Sequence, residues 1–202
     1  MKSHGARLTL VAFLAVIVLG TSHRPANALA FDPIQNLSNT STGSQNPRFA
    51  VSGANVFVAW EEVVGSNAYG NPIYQVFFRR STDTGVTWQP MVPLEDPSPF
   101  PPQVRLAASG DTVLVLWFQV VDTTIPLVYR RSTDAGVTFG PLQTIDPTNG
   151  GNVEVAFTGS NAYAAWNECC SPTELVAYSR SSDAGATFSA PIVVSEVVAR
   201  RG

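Results

Sequence analysis

From about residue 48 to residue 194 the chain runs in short stretches where apolar and polar residues alternate. They are rich in Val, Phe, Tyr and Trp and are separated by Gly, Pro, Asn or Asp. A period of two residues places successive side chains on opposite faces, so these stretches predict β-strands. Four strands fall between Arg48 and Leu94: Arg48 to Ser52, Asn55 to Trp60, Tyr74 to Arg80 and Thr87 to Leu94. Four more follow at Val104 to Ala108, Thr112 to Phe118, Leu127 to Arg131 and Thr138 to Ile145. A last set is read at Val153 to Thr158, Ala162 to Trp166, Val176 to Arg180 and Thr187 to Val194. No helix is expected beyond the N-terminal apolar run, so the fold class is all-β.

The three sets are copies of one unit. STDTGVTW (Ser81 to Trp88), STDAGVTF (Ser132 to Phe139) and SSDAGATF (Ser181 to Phe188) begin 51 and then 49 residues apart. Upstream, Gly53, Gly110 and Gly159 each stand seven residues before a tryptophan, at Trp60, Trp117 and Trp166. Self-similarity at a fixed period of this length marks a repeat architecture, in which one unit cannot bury its apolar face alone and stacks against its neighbours.

Each octapeptide falls between the third and fourth strands, where its residue types fit a tight hairpin turn. Asp83, Asp134 and Asp183 are suited to accept hydrogen bonds from the turn's own N–H groups. Gly85, Gly136 and Gly185 supply the positive φ such turns need. Trp88, Phe139 and Phe188 are then expected to anchor the fourth strand in apolar packing.

The pattern S-x-D-x-G-x-T-[WF], closing a four-stranded unit of about 50 residues, resembles the Asp-box, or BNR, repeat of the sialidase-like β-propeller superfamily. The resemblance implies an open, partial β-propeller of three four-stranded antiparallel blades, spanning approximately residues 31–94, 95–145 and 146–196. It also implies that the box is structural and lies on the face away from any binding site. Propellers close with roughly four to eight blades. Three blades therefore suggest self-association or further blades.

The N-terminus changes the chemistry that remains. Lys2 and Arg7 precede the apolar run Leu8 to Gly20, and Ala28-Leu29-Ala30 offers a small-x-small cleavage site. This is the pattern of a signal peptide over residues 1–30, with a run shorter than the ~20 residues of a spanning helix. A secreted or extracytoplasmic protein without a transmembrane segment after cleavage is expected. The single lysine and both histidines lie in this segment, so residues 31–202 carry nine arginines against fifteen carboxylates, a net charge of −6. No basic face is available for nucleic acid. Ser-His-Asp and Cys-His pairs, histidine-containing zinc sites and Schiff-base lysines are likewise excluded, and no metal or cofactor is expected.

Candidate ligand-binding residues lie where inner strands begin. Five residues before the marker glycines stand Arg48, Arg105 and Glu154, and two residues after their tryptophans stand Glu62 and Glu168. Guanidinium groups bind carboxylates bidentately, and in the sialidases that Arg48 and Arg105 resemble such arginines clamp an acidic sugar. Paired carboxylates would permit glycoside hydrolysis, but no catalytic set is identifiable. The loop Val63 to Pro72 and the Pro-rich connection Glu95 to Pro102 are placed on the same face. Arg80, Arg131 and Arg180, each just before a box serine, read as stabilisers of the repeat.

Adjacent Cys169 and Cys170 leave a strained vicinal disulfide, an intermolecular bond or two thiols open. Asn36-Leu37-Ser38 and Asn39-Thr40-Ser41 match the glycosylation acceptor pattern. The function expected is non-enzymatic binding of a glycan or an extracellular protein through the loop face. A sialidase-like glycoside hydrolase, or part of one, and a structural cell-envelope protein are the alternatives.

Overall fold

A computed structural model describes residues 33–168 and 175–195. The expected signal peptide and the Cys169-Cys170 pair lie outside the described residues. The described residues are all-β, without a helix, and form three four-stranded antiparallel sheets. Among them no helix is long and apolar enough to cross a membrane.

Each sheet is a meander in chain order. The first contains β1 (Ser44–Ser52), β2 (Asn55–Ser66), β3 (Pro72–Ser81) and β4 (Val92–Pro93). The second contains β5 (Arg105–Ser109), β6 (Thr112–Phe118), β7 (Leu127–Ser132) and β8 (Gln143–Asp146). The third contains β9 (Gly150–Thr158), β10 (Asn161–Glu168), β11 (Leu175–Ser181) and β12 (Ile192–Val193). The first strands lie side by side, β1 against β5 and β5 against β9, and the sheets do not close on one another.

Two departures from the expected strands have local causes. The fourth strands are short because Pro90, Pro141 and Pro191 carry no N–H to continue the ladder. A single backbone bond precedes each proline, from Gln89 to Arg80, Gly140 to Arg131 and Ser189 to Arg180. The stretch Val63 to Pro72, expected as a loop, is strand at both ends and a turn only over residues 67–71. β2 and β3 pair as far as Ser66 opposite Pro72, and the Asn67 side chain closes the turn by accepting the N–H groups of Tyr69 and Asn71.

The core lies between the sheets. One cluster joins Phe57, Val76 and Phe78 of the first sheet to Val113, Val115 and Trp117 of the second. Another joins Leu114, Leu116 and Tyr129 of the second to Ala162, Ala164 and Trp166 of the third. β6 therefore buries both faces, as its unbroken run VLVLWF requires. β10, with NAYAAWNE, alternates buried with half-buried positions and covers one face only.

The three octapeptides share one set of hydrogen bonds. The box aspartate Oδ1 accepts the serine hydroxyl at 2.7, 2.7 and 2.6 Å and the threonine N–H at 2.8, 2.9 and 3.0 Å. Its Oδ2 accepts the threonine hydroxyl at 2.6, 2.6 and 2.7 Å. Not only the glycines but also Thr84, Ala135 and Ala184 before them have positive φ, the pair of left-handed residues that a type I′ hairpin turn requires. Those three residues donate their N–H groups to Ala54, Asp111 and Ser160 in the β1–β2, β5–β6 and β9–β10 turns. Box and turn are thereby fastened at the same end of each sheet.

Two of the box aromatics enter apolar packing with the sheet before their own. Phe139 meets Phe78 of the first sheet edge to face at 4.9 Å, and Phe188 meets Tyr129 of the second at 5.2 Å. Each therefore fastens its sheet to the preceding one. Trp88, in the first sheet, is half-buried near its own Gly85.

Candidate functional site

At the end of the sheets away from the boxes, an open cleft of about 190 Å³ is lined by Asn46, Arg48, Glu61, Gln103, Arg105 and Asn152. It forms because all three inner strands bend at the same point. Asn46, Gln103 and Asn152, each two residues before Arg48, Arg105 and Glu154, have φ of 52, 55 and 53°. In β1 and β9 the bend is a bulge at which two residues oppose one tryptophan, Trp60 or Trp166. An extra residue re-aims neighbouring side chains, and asparagine tolerates the left-handed region better than most.

Hydrogen bonds tie the bends together across the sheets. Glu61, wholly buried, accepts Asn46 Nδ2 at 3.0 Å, Gln45 Nε2 at 3.2 Å and the Val104 N–H at 3.3 Å. Gln103 Oε1 accepts the Asn152 N–H at 3.0 Å. Arg105 Nε pairs with Glu154 Oε1 at 2.9 Å, and its Nη1 donates to the Val104 carbonyl. Arg48 Nη1 donates to the Pro47 carbonyl at 3.1 Å.

Of the residues singled out in the sequence, Arg48 and Arg105 thus line one cleft, and Glu154 stands beside it as the partner of Arg105. Glu62 is placed elsewhere. It is buried and accepts Thr40, Thr42 and Ser44 hydroxyls and the Trp60 indole N–H. Burial raises its pKa, but the hydrogen bonds from Ser44, Thr40, Thr42 and Trp60 outweigh that and hold it below the usual carboxylate value. Its role here is to fasten the segment before β1. Glu168, half-buried at the end of β10 opposite Gly150, is not among the residues lining the cleft.

Four features were missed in the sequence: the three amides and Glu61. The amides had a signal, their constant offset from Arg48, Arg105 and Glu154. Glu61 had none, since the corresponding residues are Phe118 and Asn167. Chemically, two guanidinium groups and three primary amides offer donors and acceptors suited to a carboxylate and hydroxyl groups. Hydrolysis through a carboxylate pair needs a second acid at ~5 or ~6.5–9.5 Å. Among the described residues lining the cleft Glu61 is the only acid, and both its oxygens already accept hydrogen bonds.

Close to Glu61 lies a second buried acid. Glu95, just after β4, is buried and accepts the Val76 N–H at 3.1 Å. Burial pushes its pKa up to about 8, with the Glu61 charge adding to the rise. It corresponds in the repeat to Asp146, which accepts the Trp166 indole N–H at 3.0 Å. Trp117 points its indole towards Glu95 in the same manner, although Trp117 Nε1 and Glu95 Oε2 fall short of hydrogen-bond geometry. Asp146 thus links the second sheet to the buried tryptophan of the third, and Glu95 occupies the equivalent place in the first sheet.

Set against models of protein families and against curated proteins, the sequence matches none.

Proposed function

We propose that the chain is an exported Asp-box repeat module whose sheets are blades of the sialidase-like β-propeller type. It binds a carboxylate-bearing sugar in the cleft between inner strands and does not hydrolyse it. The observation that carries this reading is the convergence of Arg48 and Arg105 with Asn46, Gln103 and Asn152 around one opening. The propeller reading is supported by the side-by-side inner strands and the shared box geometry. Export is supported by the residues before Phe31.

The test is a glycan-binding assay on immobilised sialosides and uronic-acid sugars with neutral sugars as controls. Binding of the acidic sugars is expected for the parent and is expected to disappear in the Arg48→Ala, Arg105→Ala double variant. Equal binding by parent and double variant, or a preference for neutral sugars, would overturn the reading. Turnover of a fluorogenic sialoside that is lost on Glu61→Gln would establish catalysis instead.

A further inference from the structure

The contacts between successive sheets follow one plan. The second and third strands of one sheet present a receiving face, and the octapeptide turn of the next sheet sits on it. A Cβ on Gly136 would come within 2.7 Å of Phe78, and one on Gly185 within 2.7 Å of Leu114, so both glycines are there to let the turn approach. At the junction of the second and third sheets the contact is also polar. Arg131 Nε donates to the Ala184 carbonyl at 2.8 Å, and the Tyr129 hydroxyl lies 3.3 Å from the Ala186 carbonyl.

The third sheet carries the same receiving face. By the repeat, Tyr163 takes the place of Leu114, Tyr178 that of Tyr129 and Arg180 that of Arg131. Tyr163 and Tyr178 stack at 6.4 Å along an open groove that also includes Val155 and Ala165. Arg180 is exposed, and among the described residues its guanidinium meets no acceptor. The first sheet carries the matching insert. Around Gly85 the nearest side chain is its own Trp88, at 3.8 Å from a Cβ position. Val86 is two-thirds exposed, and the Thr84 and Val86 carbonyls correspond to those of Ala184 and Ala186.

We propose that these two surfaces join copies of this chain head to tail: the octapeptide turn of the first sheet in one copy seats on the third sheet of another. Both halves are present on one chain and match in kind. Tyr178 receives Trp88 as Tyr129 receives Phe188, and Arg180 donates to the Thr84 carbonyl as Arg131 does to that of Ala184. The contact continues the packing already made twice within the chain. It is heterologous, so it closes into a ring or extends, according to the rotation between copies. It is independent of what the cleft binds.

Sedimentation of the purified full chain over a wide concentration range tests it. The parent should associate, and Arg180→Glu or Trp88→Ala should each weaken association about tenfold or more, as loss of an Arg or Trp anchor does. Circular dichroism should show both variants folded. Mixing supplies the sharper result. Each variant keeps the surface the other lacks, so the two together should form mixed complexes more tightly than either forms with itself. A parent that is monomeric throughout would overturn the proposal. So would association unchanged by either substitution, or a mixture no tighter than its components.

Discussion

Arg105 and Glu154 form an ion pair of 2.9 Å between neighbouring inner strands, with the arginine side chain 15% and the glutamate 77% exposed. The pair holds one of the two cleft guanidinium groups against a competing carboxylate. An exposed partner of this sort contributes little to stability, about 0–1 kcal/mol. Glu154→Gln should therefore leave the melting temperature nearly unchanged while raising the affinity for an acidic sugar, and the gain should shrink as salt rises. Calorimetric titration at two ionic strengths checks both outcomes.

The box aspartates set an acid limit. Hydrogen bonds from the Thr87 and Thr138 side chains and backbones, with Ser81 and Ser132, hold Asp83 and Asp134 down at about 2. Asp183 is lowered further, first by Ser181. A folded-state pKa below the unfolded value of ~3.9 means stability that is complete above that value and lost as pH falls towards about 2. Melting curves from pH 5 to pH 2 should show this loss. Asp134→Ala should destabilise by about 2 kcal/mol at neutral pH, since its bonds are to a charged acceptor, and should flatten part of the acid decline.

Glu95 acts in the opposite direction. Its folded pKa of about 8 lies above the unfolded value, so the folded state holds a proton that the unfolded chain has released. Stability should then fall as pH rises from about 4.5 to about 8. Glu95→Gln mimics the protonated acid, and should match the parent near pH 4 while melting higher than it at pH 8 to 9. An equal pH slope in parent and variant would count against a protonated Glu95.

A pair of glycines separates backbone strain from packing. Gly85 and Gly136 both have positive φ, 90 and 75°, so alanine at either meets the left-handed penalty of ~1–2 kcal/mol. Only at Gly136 would the new methyl group also collide with Phe78, at 2.7 Å. Chemical denaturation should find Gly136→Ala the more damaging by about 1–3 kcal/mol, the usual cost of overpacking.

The strands and the repeat were legible because alternation and the two recurring landmarks are local signals. The equivalent placement of Arg48 and Arg105 was legible for the same reason, through a constant offset from the marker glycines. The short fourth strands were legible in principle from Pro90, Pro141 and Pro191. Glu61 and Glu95 were not, because their surroundings come from pairing that no local pattern announces: Glu61 accepts the Val104 N–H from the segment leading into the second sheet, and Glu95 is buried against the Val76 N–H, the burial that raises its pKa. The hidden role of Glu62 has a similar cause, since the hydroxyls of Thr40, Thr42 and Ser44 reach it from a segment with no strand pattern of its own before Ser44.

β6 is covered on both sides, whereas β2 and β10 each have one side against another sheet. In energetic terms the molecule is a short linear array with nearest-neighbour coupling, and the middle sheet owns both couplings. A lesion there, such as Leu114→Ala or Trp117→Ala, weakens the link through which the outer sheets sense each other. The parent is expected to unfold in one concerted event, and such a variant in two, because the ends have lost their common intermediary. The same loss in β10 would weaken one terminal unit and leave the other pair cooperative.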